Sequence, residues 1–410
     1  MNAKQRRWLI LALLFAATTI NYIDRQTLSV LVPVLHEKLH LSDVSYANVV
    51  TAFLIPYTIM YSLGGRIMDY LGTRVGIALS LLWWSIATML TGLSQGAFSL
   101  GAFRALLAVG EPCVYPGGIK ACAEWFPSRQ RAIATGIFSS GSAIGAVLAP
   151  PLVVWCNFHF GWRYAFVIPG LLGLCWLPLW LMVNRPKERP VELTTESEVV
   201  PEKTKWPDLL RQRVVWSLVL PRLLSDPVWY FYLFWLPDYL ERFRHFSLRD
   251  LALYGWIPFL FADLGSIVGG AVSDKLIRRK WAPAKARMAL LVGVGCLSPI
   301  GALAGWVPSI GVVFGILCTV AFLTQCWSTN IATLAADLMP SNVVGATTGM
   351  MGTAGSLGAA MFAQVLGVLI SAAGYPVAFA VAACLHPLAL VVLVGLAGRK
   401  RLRGNLSVSA

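Results

Sequence analysis

Long apolar runs separated by short polar segments make up most of this chain. Each run is close to the 20 residues that an α-helix needs to cross about 30 Å of hydrocarbon. The pattern predicts an all-α membrane protein with twelve spanning helices, an even number that leaves both termini on one side. The approximate limits of the spans are 8–35, 45–69, 75–94, 97–122, 131–156, 163–184, 214–240, 248–274, 286–306, 309–337, 343–371 and 375–397.

The composition agrees with a membrane protein. Of the 410 residues, 57% are hydrophobic and only 13% are charged, too few charges to coat a soluble protein of this size. The eight cysteines show no CxxC spacing, so they predict small buried residues rather than a metal site. We expect neither a metal nor a cofactor.

The positive charges set the expected orientation. Of the Lys and Arg residues, 24 fall in the N-terminus, the C-terminus and the segments on their side, and five fall in the segments on the opposite side. Because basic residues are retained on the cytoplasmic face, both termini are predicted to be cytoplasmic. The net charge of +14 is dispersed over short segments and does not indicate nucleic-acid binding.

An internal repeat predicts two bundles of six helices. The segment "GGRIMDYLGTR", from Gly64, recurs as "GGAVSDKLIRR" 205 residues later, and "EWFPSRQRAIATG" is echoed by "DLMPSNVVGATTG" 213 residues later. The predicted units are an N-terminal bundle over 1–184, a polar cytoplasmic linker over 185–213 and a C-terminal bundle over 214–410.

The first of these repeats resembles a known signature. "GGRIMDYLGTR" is similar to the loop motif of the major facilitator superfamily, and "NYIDRQTLSV" and "GEPCVYPGGIKACAEWFPSRQRA" resemble its anion:cation symporters. "RLLSDPVWYFYLFWLPDYL" is most similar to the bacterial hexuronate transporters. The resemblance implies a proton-coupled symporter for a sugar-acid anion, acting without a cofactor in the bacterial inner membrane. A monomer is expected.

Charged residues inside the first and fourth spans are the main candidates for this chemistry. An ionised side chain is costly at mid-membrane and calls for a functional explanation. Arg25 is the predicted substrate cation, and Asp24 and Glu111 are the predicted proton-coupling acids. Arg104, seven residues before Glu111 on the same predicted helical face, is a further candidate for substrate binding. The alternative is that these residues form structural ion pairs, Arg25 with Asp24 and Arg104 with Glu111.

The second half supplies weaker candidates. Arg222 and Asp226 are four residues apart, the spacing of an intrahelical ion pair, and are predicted to be structural or gating. Further candidate substrate contacts, each with helix packing as its alternative, are Tyr22, Tyr57, Trp229, Tyr230, Gln325, Ser328 and Asn330. In the repeated loop motif, Asp69, Arg74 and Asp274 are predicted to have a gating or structural role.

Other functions fit the sequence less well. An efflux carrier for lipophilic compounds would share the fold, but the arginine beside Asp24 favours an anion; a carrier of aldonates, aldarates or sialate remains an alternative. "HEKLH", from His36 to His40, matches the HExxH motif of zinc proteases, in which both histidines lie on one helix. A third ligand would have to come from His159, His245 or an acid such as Asp43, and we do not expect an enzyme.

Overall fold

The computed structural model describes residues 3–126, 128–185, 209–339 and 341–397, and these residues form helices and no strand. The predicted linker lies mostly outside them. The first helices are α1 (Ala3–Leu39), α2 (Asp43–Thr91), α3 (Ala97–Gly110), a 3₁₀ turn (Glu111–Cys113), α4 (Val114–Trp125), α5 (Ser128–Phe160) and α6 (Tyr164–Val183). The later helices are α7 (Arg213–Asp238), a π-helical turn (Tyr239–Phe243), α8 (Leu248–Tyr254), α9 (Ile257–Arg278), α10 (Pro283–Leu297), a 3₁₀ segment (Ser298–Gly305), α11 (Ile310–Leu338) and α12 (Ser341–Ala397).

The all-α fold class is confirmed, and the spans are consistent with the predicted number. Among the described residues, ten helical segments are long and apolar enough to cross a membrane, and one of them is 50 residues long. A helix of that length would extend roughly 75 Å, more than twice the hydrocarbon thickness, and it bends at Gly374. Helix α7 is not among the ten, because Arg222 and Asp226 lower its mean hydropathy.

Two sharp turns inside apparently continuous helices occur at glycines. Gly72 within α2 has φ 73° and Gly374 within α12 has φ 75°, backbone conformations that favour glycine because it lacks a Cβ atom. Gly161, between α5 and α6, has φ 92° and precedes Gly374 by 213 residues, the offset of the second repeat. The repeat therefore extends to the turn between the last two spans of each half.

The chain divides into two compact units. Unit 1 comprises residues 1–200 and 234–256, and unit 2 comprises residues 201–233 and 257–410. The last seven residues of the seventh predicted span, 234–240, thus group with unit 1. The predicted limits of the two bundles stay a prediction. In unit 1, α1 packs on α5 and α2 packs on α3 and α6; in unit 2, α9 packs on α11.

Large apolar side chains cover the surface of the helices. Ile267 and Val391 are each 67% exposed, and many other Leu, Ile, Val and Trp side chains are similarly placed. Such extensive apolar surface is unfavourable in water and favourable against lipid chains. Together with the apolar helices, it identifies a multi-pass membrane protein.

Candidate functional site

Arg25 lies in the middle of α1 and holds a residue from another helix. Its Nε donates to Glu111 Oε1 at 2.8 Å, and its Nη2 contacts the same oxygen and donates to the Tyr57 hydroxyl at 3.0 Å. The arginine is buried, and Glu111 is only 2% exposed. The salt bridge of Arg25 is therefore made with Glu111 and not with its sequence neighbour Asp24.

Three aromatic rings surround the guanidinium of Arg25. Its Cζ lies 5.1 Å from the ring centroid of Tyr22, 4.9 Å from that of Tyr57 and 5.9 Å from that of Phe53. Aromatic faces attract a cation through their negative quadrupole. The structure thus brings both predicted tyrosines to the predicted substrate cation.

Glu111 lies where an α-helix gives way to a 3₁₀ turn. The predicted fourth span is not one continuous helix: α3 ends at Gly110, a 3₁₀ turn follows, and α4 begins at Val114. Pro112 in this turn has no N–H to donate to the preceding turn, which accounts for the interruption. The seven-residue spacing from Arg104 to Glu111 therefore does not lead to an ion pair; Glu111 pairs with Arg25 instead.

Asp24 takes no part in the Arg25–Glu111 ion pair. It is fully buried, and neither carboxylate oxygen has a hydrogen-bond partner among the described residues. The Thr88 hydroxyl and the Trp84 indole are its polar neighbours, and neither has a hydrogen-bond partner among the described residues. Asp24 and Arg25 diverge because consecutive helical residues are about 100° apart around the axis.

Arg104 neutralises neither carboxylate by direct contact. Its Nη1 donates to the Asp24 backbone carbonyl at 3.4 Å, and its Cζ lies 4.7 Å from the ring centroid of Phe53. The side chain is fully buried, and its Nε and Nη2 have no hydrogen-bond partner within the described chain. Both structural ion pairs considered from the sequence, Arg25 with Asp24 and Arg104 with Glu111, are absent between these described residues.

This cluster in unit 1, made of Asp24, Arg25, Tyr57, Arg104 and Glu111, combines two arginines with two acids in a buried environment. Buried polar atoms are nearly always hydrogen-bonded, yet Oε2 of Glu111 also lacks a partner within the described parts of the chain. Several buried hydrogen-bond donors and acceptors that lack partners, gathered in one cluster, are typical of a site that binds a polar ligand or exchanges protons.

In unit 2 the predicted intrahelical ion pair forms. Arg222 Nη2 lies 2.9 Å from Asp226 Oδ2, and Arg222 Nη1 donates to the Ser328 hydroxyl on α11 at 2.8 Å. The pair lies under two glycines of α12, because a Cβ atom at Gly355 would meet the Asp226 carboxylate and one at Gly358 would meet the Leu223 backbone. The pair therefore belongs to a close crossing of α7 and α12.

The remaining candidates in unit 2 differ in their surroundings. Asn330 is fully buried, and its Nδ2 donates to the carbonyl of Cys326 in the same helix at 2.9 Å. This hydrogen bond is made within α11 and not to another helix. Trp229 makes an edge contact with Phe259, with centroids 6.0 Å apart. Tyr230 and Gln325 are half-buried. A role for these residues in substrate binding stays a prediction.

The repeated loop motif forms contacts at the ends of helices. Arg74 Nη2 donates to the Leu181 carbonyl at 3.0 Å, while Asp274 Oδ1 lies 3.0 Å from Arg287 Nη1. The side chain of Asp69 lies outside the described residues. Arg287, which also lies 3.6 Å from Asp337, was not a sequence candidate; it follows Arg74 by 213 residues, so the second repeat offset could have identified it.

Comparison with known proteins agrees with this architecture. The family model described as Major Facilitator Superfamily matches residues 14–363, most of the chain. The chain belongs to this superfamily. It is accordingly a transport protein and not an enzyme.

Individual superfamily members are similar over most of the chain. The hexuronate transporter of Escherichia coli K12 is 32% identical over 404 residues, which are 95% of this chain and 94% of that protein. The galacturonate transporter of Dickeya chrysanthemi is 35% identical over 65% of this chain and 81% of its own. A crystal structure of a bacterial homologue of the human lysosomal transporter Spinster, inward-facing and unoccupied, matches with a TM-score of 0.71 at 21% identity, covering 96% of this chain and 95% of that one.

Proposed function

We propose that this superfamily member is a proton-coupled symporter that imports a hexuronate anion across the bacterial inner membrane by alternating access. The observation that carries the proposal is the buried Arg25–Glu111 ion pair beside the unpartnered carboxylate of Asp24. Similarity to the hexuronate and galacturonate transporters supports the choice of substrate.

The ion pair suggests how protons and substrate are coupled. While Glu111 is ionised, its carboxylate occupies the guanidinium of Arg25. Protonation of Glu111 removes that negative charge, so the guanidinium becomes available to a substrate carboxylate, which it grips with two parallel hydrogen bonds. Proton binding then favours anion binding at the same arginine, and release of the proton favours release of the substrate.

Asp24 is suited to a second protonation step. A buried carboxylate without a paired cation favours its neutral form. The Asp24 carboxylate receives no hydrogen bond from any described residue. We therefore assign proton coupling to Asp24 and Glu111, and substrate binding to Arg25 with Tyr57. No cofactor takes part, because the proton gradient supplies the driving force.

Uptake into proteoliposomes tests this function. With an alkaline interior, radiolabelled glucuronate or galacturonate is expected to accumulate, and a protonophore should abolish the accumulation without preventing exchange between loaded vesicles and medium. Accumulation that is indifferent to the protonophore would exclude proton coupling. Competition by excess galactonate, glucarate or sialate then tests the alternative substrates, and a lipophilic cation tests the efflux alternative.

A further inference from the structure

A second polar cluster lies far along α1 from Arg25, where α1 ends, α2 begins and α7 ends. It comprises His36, Asp43, Asp238 and Arg242, all within unit 1, and we call it the His36 cluster. His36 Nε2 lies 3.7 Å from Asp238 Oδ1 and 4.0 Å from Asp43 Oδ1. One ligand atom from each of His36, Asp43 and Asp238 lies within 4.8 Å of the others.

A backbone contact fixes the tautomer of His36. Its Nδ1 lies 2.6 Å from the Leu41 carbonyl oxygen, and a carbonyl oxygen only accepts hydrogen bonds, so Nδ1 must carry the proton. In a neutral imidazole, Nε2 then presents its lone pair to two carboxylates. A backbone carbonyl that orients a histidine in this way is typical of metal-binding histidines.

Arg242 currently balances the two acids. It bonds to Asp43 and lies 3.2 Å from Asp238 Oδ2. The arginine side chain is 38% exposed, whereas that of Asp43 is 14% exposed and that of Asp238 is 2% exposed. Arg242 is therefore the most exposed member of the cluster, and we expect it to turn toward solvent when another cation binds.

We propose that His36, Asp43 and Asp238 form a binding site for Zn²⁺. One imidazole nitrogen and two carboxylate oxygens, with water in the fourth position, make a ligand set suited to tetrahedral zinc. Zinc bonds of about 2.0–2.2 Å would draw the three groups slightly closer than they lie now. The ion would replace the positive charge that Arg242 supplies.

This site differs from the protease motif read in the sequence. His40 lies beyond the end of α1 with φ 50°, so the two histidines of "HEKLH" do not share a helix. Glu37, the residue that would act as the base, pairs with Lys38 at 2.9 Å. The HExxH motif thus points to His36 as a zinc-protease ligand, a role that its surroundings do not support. The other two ligands of the proposed site, Asp43 and Asp238, come from other helices.

Bound zinc would link three helix ends. Asp238 ends α7, His36 lies in the last turn of α1 and Asp43 begins α2. If transport by the proposed alternating access requires these three helix ends to separate, zinc bound between them should inhibit uptake. This consequence rests on the proposed function; zinc binding itself does not.

Calorimetric titration of ZnCl₂ into the purified full-length chain, freed of metal with a chelator and alkylated at accessible cysteines, tests the site directly. We expect one zinc per chain and at least tenfold weaker binding in His36→Gln, with Asp43→Asn as a second variant should the first not fold. Arg242→Gln should bind zinc more tightly, because it removes the competing cation. His40→Asn is the matched control, since asparagine tolerates a positive φ, and should bind like the wild type.

Two results would overturn the proposal. Wild-type affinity in both His36→Gln and Asp43→Asn would place the zinc elsewhere, and weakened binding in Arg242→Gln would show that the cluster needs its arginine and does not exchange it for a metal. Inhibition of uptake by ZnCl₂ is measured separately. Zinc binding without any sugar-acid uptake would contradict the proposed function and leave the metal site intact.

Discussion

Individual residues of the cluster in unit 1 show what a sequence does and does not reveal about a buried charge. The presence of Asp24, Arg25, Arg104 and Glu111 inside apolar runs marks them as candidates, because such residues are rare at that depth. Their pairing does not follow from sequence: Glu111 lies 86 residues from Arg25. The choice of Glu111 over the adjacent Asp24 depends on how the helices pack.

Arg25→Lys is expected to weaken hexuronate binding at least tenfold although the charge is retained. The guanidinium uses Nε and Nη2 to reach Glu111 and Tyr57 together, whereas an ammonium is a point charge without that planar geometry. Calorimetric titration of glucuronate into the purified variant measures the loss. Tyr57→Phe, which removes one hydrogen bond and keeps the ring, is the matched control and should lose less; equal affinity in wild type and Arg25→Lys would refute the assignment.

Asp24→Asn is expected to retain substrate exchange at equal pH and to lose proton-driven accumulation. The amide resembles the protonated acid in shape and charge, and the Asp24 carboxylate has no hydrogen bond to a described residue that the change would break. Glu111→Gln should also lose accumulation, but it frees Arg25 from its partner, so its substrate affinity should respond less to pH than that of the wild type. Loss of exchange in Asp24→Asn would make Asp24 a substrate ligand or a structural residue.

At the level of helices, hydrophobic patterning predicts the apolar spans well and their interruptions poorly. The run from 97 to 122 reads as one helix, but Pro112 converts its middle into a 3₁₀ turn. The apolar pattern predicts only a boundary between two spans near Gly374, whereas its positive φ is visible only in the structure. Hydrophobic periodicity predicts which residues are buried. Turns such as these depend on single residues, which follow no periodic pattern.

Gly374→Ala is expected to destabilise the protein by roughly 1–3 kcal/mol, because a residue with a Cβ atom is strained at φ 75° and ψ 179°, a region that is essentially restricted to glycine. Thermal unfolding of the purified protein in detergent should therefore show a lower melting temperature. Gly395→Ala, in the same helix and with nothing within 4 Å of the added Cβ atom, is the control and should melt at or above the wild-type temperature. Gly161→Ala, at the equivalent turn with φ 92°, should behave like Gly374→Ala; identical melting of all three variants would argue against strain.

On the scale of the whole molecule, the repeat and the charge distribution describe two different properties. The repeat offsets of 205 and 213 relate the contacts of the loop motif in the two halves, so that Arg74 and Arg287 each bind at the end of a helix. At the first offset, the charges of Asp24 and Arg25 have no charged counterpart, because the positions 205 residues later are Trp229 and Tyr230. The halves thus share a scaffold and differ in chemistry.

The charge bias predicts that both termini are cytoplasmic. Because 24 basic residues lie in the segments on one side and five in those on the other, the orientation is determined by many positions along the chain. A green fluorescent protein fused after Ala410 should fluoresce, and alkaline phosphatase fused there should be inactive. Phosphatase fused after Ser42, which follows α1, should be active. Neutralising Lys4, Arg6 and Arg7 together should leave the C-terminal result unchanged, because most of the bias remains; an active C-terminal phosphatase in the unaltered chain would reverse the assigned orientation.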